Sequence, residues 1–185
     1  MAKAIYSKVN LSHSNSNIAK EFKECVSDII FTNEVQSLKN YTQHMYTSRF
    51  QHCLNVSYYS FIIARKLGLD AYSAARAGLL HDLYYYDWKT NEDRPYEGNH
   101  AKIHPIIALE NTKNLIYTNE DIEDAILHHM WPLKTSHPSS KIGWIVQACD
   151  KYCALLEIYS NTLKRIYNSK NMYLYGTIFT FMCTR

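Results

Sequence analysis

The feature that most constrains the fold is a shortage of chain breakers. Five glycines and four prolines punctuate 185 residues. RFQHCLNVSYYSFIIARKLG, residues 49–68, holds a single glycine at its end and no proline. That length is too long for one strand and suits a helix of about five turns. His52, Val56, Tyr59 and Ile63 recur at three- and four-residue steps, which predicts one buried stripe, and Gly68 is placed to stop the helix.

Helical spacing recurs on both sides. NIAKEFKECVSDIIF sets Ile18, Phe22, Cys25, Val26 and Ile29 on one face, after a polar, frayed lead-in over residues 1–16. A second short helix is expected within 32–44. DAYSAARAGLL has Asp70 as its N-cap and ends at His81-Asp82. Residues 84–99, YYYDWKTNEDRPYEGN, form the one long polar segment, expected to cross the surface near that pair. HPIIALENTKNLIY reads as a helix that starts near His104, with Pro105 tolerated in its first turn. TNEDIEDAILHHMW opens with a capping pattern at Thr118 or Asn119. SSKIGWIVQACDKYCALLEIYSNTLKRIY reads as a long amphipathic helix burying Ile142, Ile145, Ala148, Cys149, Tyr152, Leu155 and Leu156. The aromatic tail, residues 170–185, is expected to dock. The expected fold is all-α, one helical domain.

Composition narrows the function classes. Hydrophobic residues at 46% and charged ones at 20% are ordinary for a globular domain. A net charge of +3 with no basic run gives no nucleic-acid surface, while phosphate-bearing small molecules stay compatible with it. Five cysteines with no CxxC do not make a disulfide framework. The first residues lack an apolar h-region and no long apolar run follows, so neither a signal peptide nor a membrane contact is expected, and the expected compartment is the cytoplasm.

Nine histidines are present. His13, His44 and His137 lie in polar contexts and read as surface residues. His52, His81, His100, His104, His128 and His129 fall at helix faces or helix starts, interleaved with Asp82 and Asp150. Buried carboxylates need partners. Adjacent residues on a helix point about 100° apart, so His81 and Asp82 could flank a metal from two sides. Imidazole with carboxylate suits Fe, Mn, Zn, Ni or Co better than Ca. Asp150 alone could equally be a surface aspartate paired with Lys151 or Arg165.

The order His52, His81-Asp82, His104, His129, Asp150 resembles the H…HD…H…H…D pattern of the HD-domain superfamily of metal-dependent phosphohydrolases. The flanking text agrees: HCLNVSYYS, AARAGLLHDLYYYDW, HAKIHPIIALEN, AILHHMWPL and ACDKYCALLE, over roughly residues 45–160. The chain looks like a bacterial branch of that family. The resemblance implies an HD-domain helical bundle over 45–160. Residues 1–44 would be a helical lead-in packed on it, and 161–185 a C-terminal extension. It implies a basal metal site of His52, His81, Asp82 and Asp150. Asp82 would bridge to a second ion held by His104 and His129, so one or two divalent ions are bound, with Mg also admitted. Asp82 and His81 become the catalytic centre.

The implied reaction is hydrolysis of a small phosphate ester, a nucleotide among the candidates, by metal-activated hydroxide. Arg49, one turn before His52, is expected to hold phosphate through paired hydrogen bonds, with Lys151, His100 and His128 as further substrate contacts. Arg94 and Lys102 are weaker candidates. Tyr84, Tyr85, Tyr86 and Trp88 read either as core or as a stacking wall for a base. Asp87 is an expected acceptor for a ligand histidine, and Cys149 and Cys153 read as buried apolar residues more readily than as soft ligands. GYP does not follow the His128-His129 pair, and Ser48 stands where some HD-GYP members carry a glutamate, so cyclic-di-GMP hydrolysis is not implied. Two alternatives stay open: a di-iron oxygenase on the same ligands, and a non-catalytic nucleotide-binding module. A homodimer is compatible with either.

Overall fold

The computed structural model describes residues 3–7, 11, 16–90, 95–133 and 135–183, with side chains described through residue 168. Among these, seven α-helices and one two-stranded ribbon form in the order α1 (Asn17–Val26), α2 (Asn33–Ser37), β1 (Thr42–His44), β2 (Thr47–Ser48), α3 (Arg49–Lys66), α4 (Ala71–Leu80), α5 (His100–Leu115), α6 (Glu120–His128) and α7 (Lys141–Cys183). The fold is all-α, as expected. A 3-10 turn at Leu38–Asn40 links α2 to the ribbon. The ribbon itself replaces part of the helix expected within 32–44, with Met45 at φ +50 in its turn.

Caps set the helix starts. Ser48 accepts from Gln51 N–H for α3, and Asp70 accepts from Ser73 N–H at 3.0 Å for α4. Asn119, not Thr118, caps α6, accepting from Ile122 N–H at 2.9 Å. Gly68 sits at φ +66 just past α3, where a left-handed residue ends the helix. Asn99 caps α5, so the helix opens at His100 rather than near His104 and carries Pro105 inside its second turn. That shift puts His100 and His104 on one face, their rings stacked at 4.4 Å.

α3 is the central helix. The single stripe expected for it is corrected: Arg49, Phe50, residues 52–58, Ser60, Phe61 and Ala64 are buried, while Ile63 is 38% exposed. It has neighbours on several sides, chiefly α4 and α7. Small residues let α4 approach closely. A Cβ at Gly78 would lie 2.8 Å from the Ser57 backbone, and Ser57 Oγ donates to Ala75 O at 2.6 Å. α7 buries Ile142, Ile145, Val146, Cys149 and Cys153, and leaves Ala148, Tyr152 and Leu155 exposed. The expected stripe was out of phase because the buried face also holds Asp150 and Glu157, which hydrophobicity alone does not place inside.

The lead-in packs down rather than fraying at Ala4 and Leu11, both buried. Docking of residues 170–185 lies outside the described side chains. No helix among the described residues is long and apolar enough to cross a membrane.

Candidate metal centre

Helix ends build the floor of the centre. α4 stops at Leu80 and α6 at His128, so His81 and His129 follow directly on each last turn. Carbonyls there lack intrahelical partners. His81 Nδ1 donates to Gly78 O at 2.9 Å, and His129 Nδ1 donates to Ile126 O at 2.7 Å. On α5, His104 Nδ1 donates to His100 O at 2.9 Å. On α3, His52 Nδ1 donates to the Glu157 carboxylate at 3.1 Å. Carbonyl and carboxylate oxygens only accept, so the proton lies on Nδ1 in all four rings. Nε2 is the atom left to ligate, once His52 gives up the proton that it donates from Nε2 to Asp150 Oδ1, and all four rings are buried.

Those nitrogens converge with two carboxylates. His52 Nε2 lies 3.0 Å and His81 Nε2 3.7 Å from Asp150 Oδ1. His81 Nε2 is 3.6 Å from Asp82 Oδ2, and Asp82 Oδ1 is 3.2 Å from His104 Nε2 and 3.6 Å from His129 Nε2. Ligands that share an ion at about 2.1 Å stand roughly 3.0–3.4 Å apart. Three groups bring their ligand atoms within 4.8 Å of one another: His52, His81 and Asp150; His81, Asp82 and His129; and His44, His52 and Glu157, with separations that exceed those around a bound ion by a few tenths of an ångström or more. His104 joins the second through Asp82.

The donors fit a divalent cation on a separate ground. His81 Nε2 and Asp82 Oδ1 are buried without a hydrogen-bond partner. His104 Nε2 and His129 Nε2 face each other at 2.8 Å with both protons on the far nitrogens. Opposed lone pairs repel, and a cation bound between or beside them removes the repulsion. Without a metal, protons answer the same demand. Burial opposes charge on His52, yet its bonds to Asp150 and Glu157 push it up to about 10. Burial and the neighbouring His104 and His81 charges pull His129 down to about 3. Asp82 and Asp150 stay well below the usual carboxylate range despite burial, held there by His81 and His104 and by His52 and His81.

A cavity of about 240 Å³ opens above the centre, lined by Asp82, His104, His129 and Asp150, with Gln43, His44, Trp88, His100, Met130 and Lys151 around them. Lys151 Nζ donates to Asp150 Oδ2 at 2.7 Å and to His129 O at 2.8 Å, at the cavity edge. His100 also faces the cavity, accepting from or donating to Tyr86 OH at 2.9 Å. Lys151 and His100, two of the expected substrate contacts, thus line the cavity.

Other expectations are corrected. Arg49 is fully buried and does not line the cavity. Its guanidinium donates to Tyr84 O at 2.7 Å, Tyr86 O at 3.1 Å and Gln43 Oε1 at 3.0 Å, and stacks 3.5 Å over the Tyr84 ring. It braces the segment after the His-Asp pair instead of meeting phosphate. His128 points away from the cavity and pairs with Asp124 at 2.8 Å. Asp87 is exposed and accepts from Lys89 N–H, not from a ligand histidine. Tyr84 and Tyr86 are core, which leaves Trp88 of that group at the cavity. Cys149 and Cys153 are buried, and burial pushes the Cys149 thiol up to about 11. Lys102 is exposed away from the lining, and Arg94 and His13 lie outside the described residues.

Three participants were not foreseen. His44 reaches the cavity from β1, its ring 5.0 Å from that of His52. Gln43 donates to Asp82 Oδ2 and, with Oε1 tied to Arg49, can present only its amide hydrogens there. Glu157 holds His52. Its signal was a spacing of seven from Asp150, two helical turns on the same face.

The comparisons with known proteins agree with this geometry. A family model described as HD domain matches residues 49–155. Similar proteins include Ribonuclease Y of Pelobacter propionicus, 32% identical over 111 residues, 60% of this chain and 18% of the relative. Ribonuclease Y of Lawsonia intracellularis is 30% identical over 138 residues, 72% of this chain and 24% of the relative. That of Thermus thermophilus is 37% identical over 82 residues, 44% and 12% respectively. The chain thus spans under a quarter of the length of these relatives. No solved structure matches it. The matched span runs from Arg49, at the start of α3, past Asp150, and so takes in all four rings and both carboxylates: the chain belongs to the HD domain family.

Proposed function

We propose that this protein is a metal-dependent phosphohydrolase acting on a small phosphate ester or nucleotide. The observation that carries this is the convergence of four histidine Nε2 atoms and two carboxylates at and beneath the floor of one cavity. His52, His81, Asp82 and Asp150 would hold one divalent ion, and His104 and His129, with Asp82, a second. A bound divalent metal supplies Lewis-acid chemistry, neutralising phosphoryl charge and making a water acidic enough to attack at neutral pH.

The chain's own residues do the rest. Gln43 turns Asp82 so that Oδ1 faces the histidines. Lys151 stands where an anionic oxygen would enter, with 37% of its side chain exposed. Trp88 and His100, with near-parallel rings 5.9 Å apart, form a flat apolar flank at the mouth. That flank suits an aromatic group on the ester. The relatives named ribonuclease support phosphate-ester chemistry at such a centre.

The test pairs metal analysis with turnover. Protein purified without chelator is assayed against small phosphate esters, nucleotides and a short RNA, with Mn, Fe, Co and Mg. Asp82→Ala is expected to lose metal and to lower hydrolysis by about 100-fold or more, since even outer-shell changes cost up to about that much. A fully active Asp82→Ala protein overturns the reading. Oxygen uptake without phosphate release would replace it with the oxygenase.

A further inference from the structure

His52 is gripped at both ring nitrogens by one face of α7. Asp150 Oδ1 lies 3.0 Å from Nε2, and both Glu157 oxygens lie 3.1 Å from Nδ1. Glu157 is fully buried. A carboxylate so placed needs donors, and Asn55 Nδ2 supplies a second at 2.7 Å. Asn55 has no freedom to flip. Its Oδ1 accepts from Ile5 N–H at 3.0 Å and from Gln51 Nε2 at 2.8 Å, which leaves its amide hydrogens for Glu157. Tyr59 OH fixes the same N-terminal stretch by donating to Ile5 O at 2.6 Å. Ile5 and Glu157 both lie outside residues 49–155, the part matched by the family.

We propose that Glu157 is a positioning residue for the metal centre, fixing the Nδ1–H tautomer of His52 and aiming its Nε2 lone pair, with residues 3–5 as its support through Asn55. This rests on His52 being a metal ligand, as proposed above. A histidine ligand that donates its other N–H to a carboxylate is both oriented and made more basic. Position alone would also let His44, His52 and Glu157 gather around an ion. That ion would need the very Nδ1 that carries the proton once Nε2 turns to Asp150 and a metal. The Asn55 amide on Glu157 belongs to the hydrogen-bonded arrangement instead.

The test is a Co²⁺ titration of full-length, metal-stripped protein, read by the visible d–d bands, with the unfolding midpoint of the metal-free protein measured alongside. Glu157→Gln keeps the shape and removes the charge. Its Co²⁺ dissociation constant is expected to rise about 10- to 100-fold, with shifted bands. A purely structural role would lower the metal-free midpoint and leave affinity and bands alone. Asn55→Ser, which withdraws the amide from Glu157, is expected to weaken binding in the same direction, and stands in if Glu157→Gln fails to fold. Wild-type affinity and spectrum in a folded variant overturn the proposal. Wild-type protein that binds Co²⁺ yet hydrolyses no phosphate ester in any metal overturns only the function above. Wild-type protein that takes up no metal overturns both.

Discussion

The Arg49 guanidinium is fully buried and meets three oxygen acceptors, two of them carbonyls of the segment that follows the His-Asp pair. Arg49→Lys keeps the charge and removes the planar fork. An ammonium at that depth can reach one of the three acceptors well. Two charge-assisted bonds are then lost, at about 1.5–3 kcal/mol each. The stacking on Tyr84 goes with them, worth about 1 kcal/mol. A net loss of about 4 kcal/mol follows, allowing for incomplete additivity. For a domain of this size that lowers Tm by about 10 °C. Urea unfolding should show a shifted midpoint with an unchanged slope. Gln43 also loses the donor that orients it, so Asp82 loosens and metal affinity falls with stability. Had Arg49 held phosphate, the variant would keep its midpoint and raise KM instead. A native midpoint with raised KM for Arg49→Lys would refute the structural assignment.

Two further outcomes follow from titratable groups. Asp124 accepts from the backbone N–H groups and both hydroxyls of Ser139 and Ser140 at the start of α7, and these hold its carboxyl below the ordinary value of 3.8 despite burial. Its stabilisation is present above about pH 4 and lost as pH falls below it, so Asp124→Asn should cost about 2–4 kcal/mol at neutral pH, with the gap to wild type closing on acidification; a gap that widens in acid melts contradicts this. His52, pushed up to about 10 without metal, must give up a proton to ligate, so metal affinity should rise about tenfold per pH unit through neutrality. Proton release on adding Mn²⁺ to weakly buffered protein checks it, and no release would show that His52 is not a ligand.

Helix positions were legible because glycine and proline are rare and caps sit where the periodicity breaks, as Asp70 and Asn119 do. The ligand order was legible because each member stands at a helix end or on a buried helix face, where a charge or imidazole is conspicuous. Arg49 was not. A buried arginine and a phosphate-binding one have the same local sequence, and only the carbonyls of Tyr84 and Tyr86, brought in from far along the chain, tell them apart. His44 was missed because the ribbon that carries it folds back on α3, and a strand of three residues leaves little periodicity to read. His128 and His129 are neighbours about 100° apart on one turn, and of the two it is His129 that faces the cavity. Asp124 draws the other away.

These placements change the charge balance of the proposed centre. Counting Asp82 and Asp150 alone, a single dication with neutral rings would be formally neutral, and either a second ion or a basic residue would have to attract phosphate. Glu157 adds a third carboxylate within contact of His52, while two cations are added by Lys151, on Asp150, and Arg49, linked to Asp82 through Gln43. With the rings neutral, as ligation requires, the surroundings are then one negative charge in excess, and a single dication already turns that to one positive. Lys151, the cation at the cavity edge, presents the excess to an incoming anion, and Arg49 acts from behind the wall. Phosphate attraction therefore does not require two ions. In the proposed centre a second ion would answer His104 and His129 instead, whose Nε2 atoms meet at 2.8 Å and have Asp82 Oδ1 as their shared anionic neighbour.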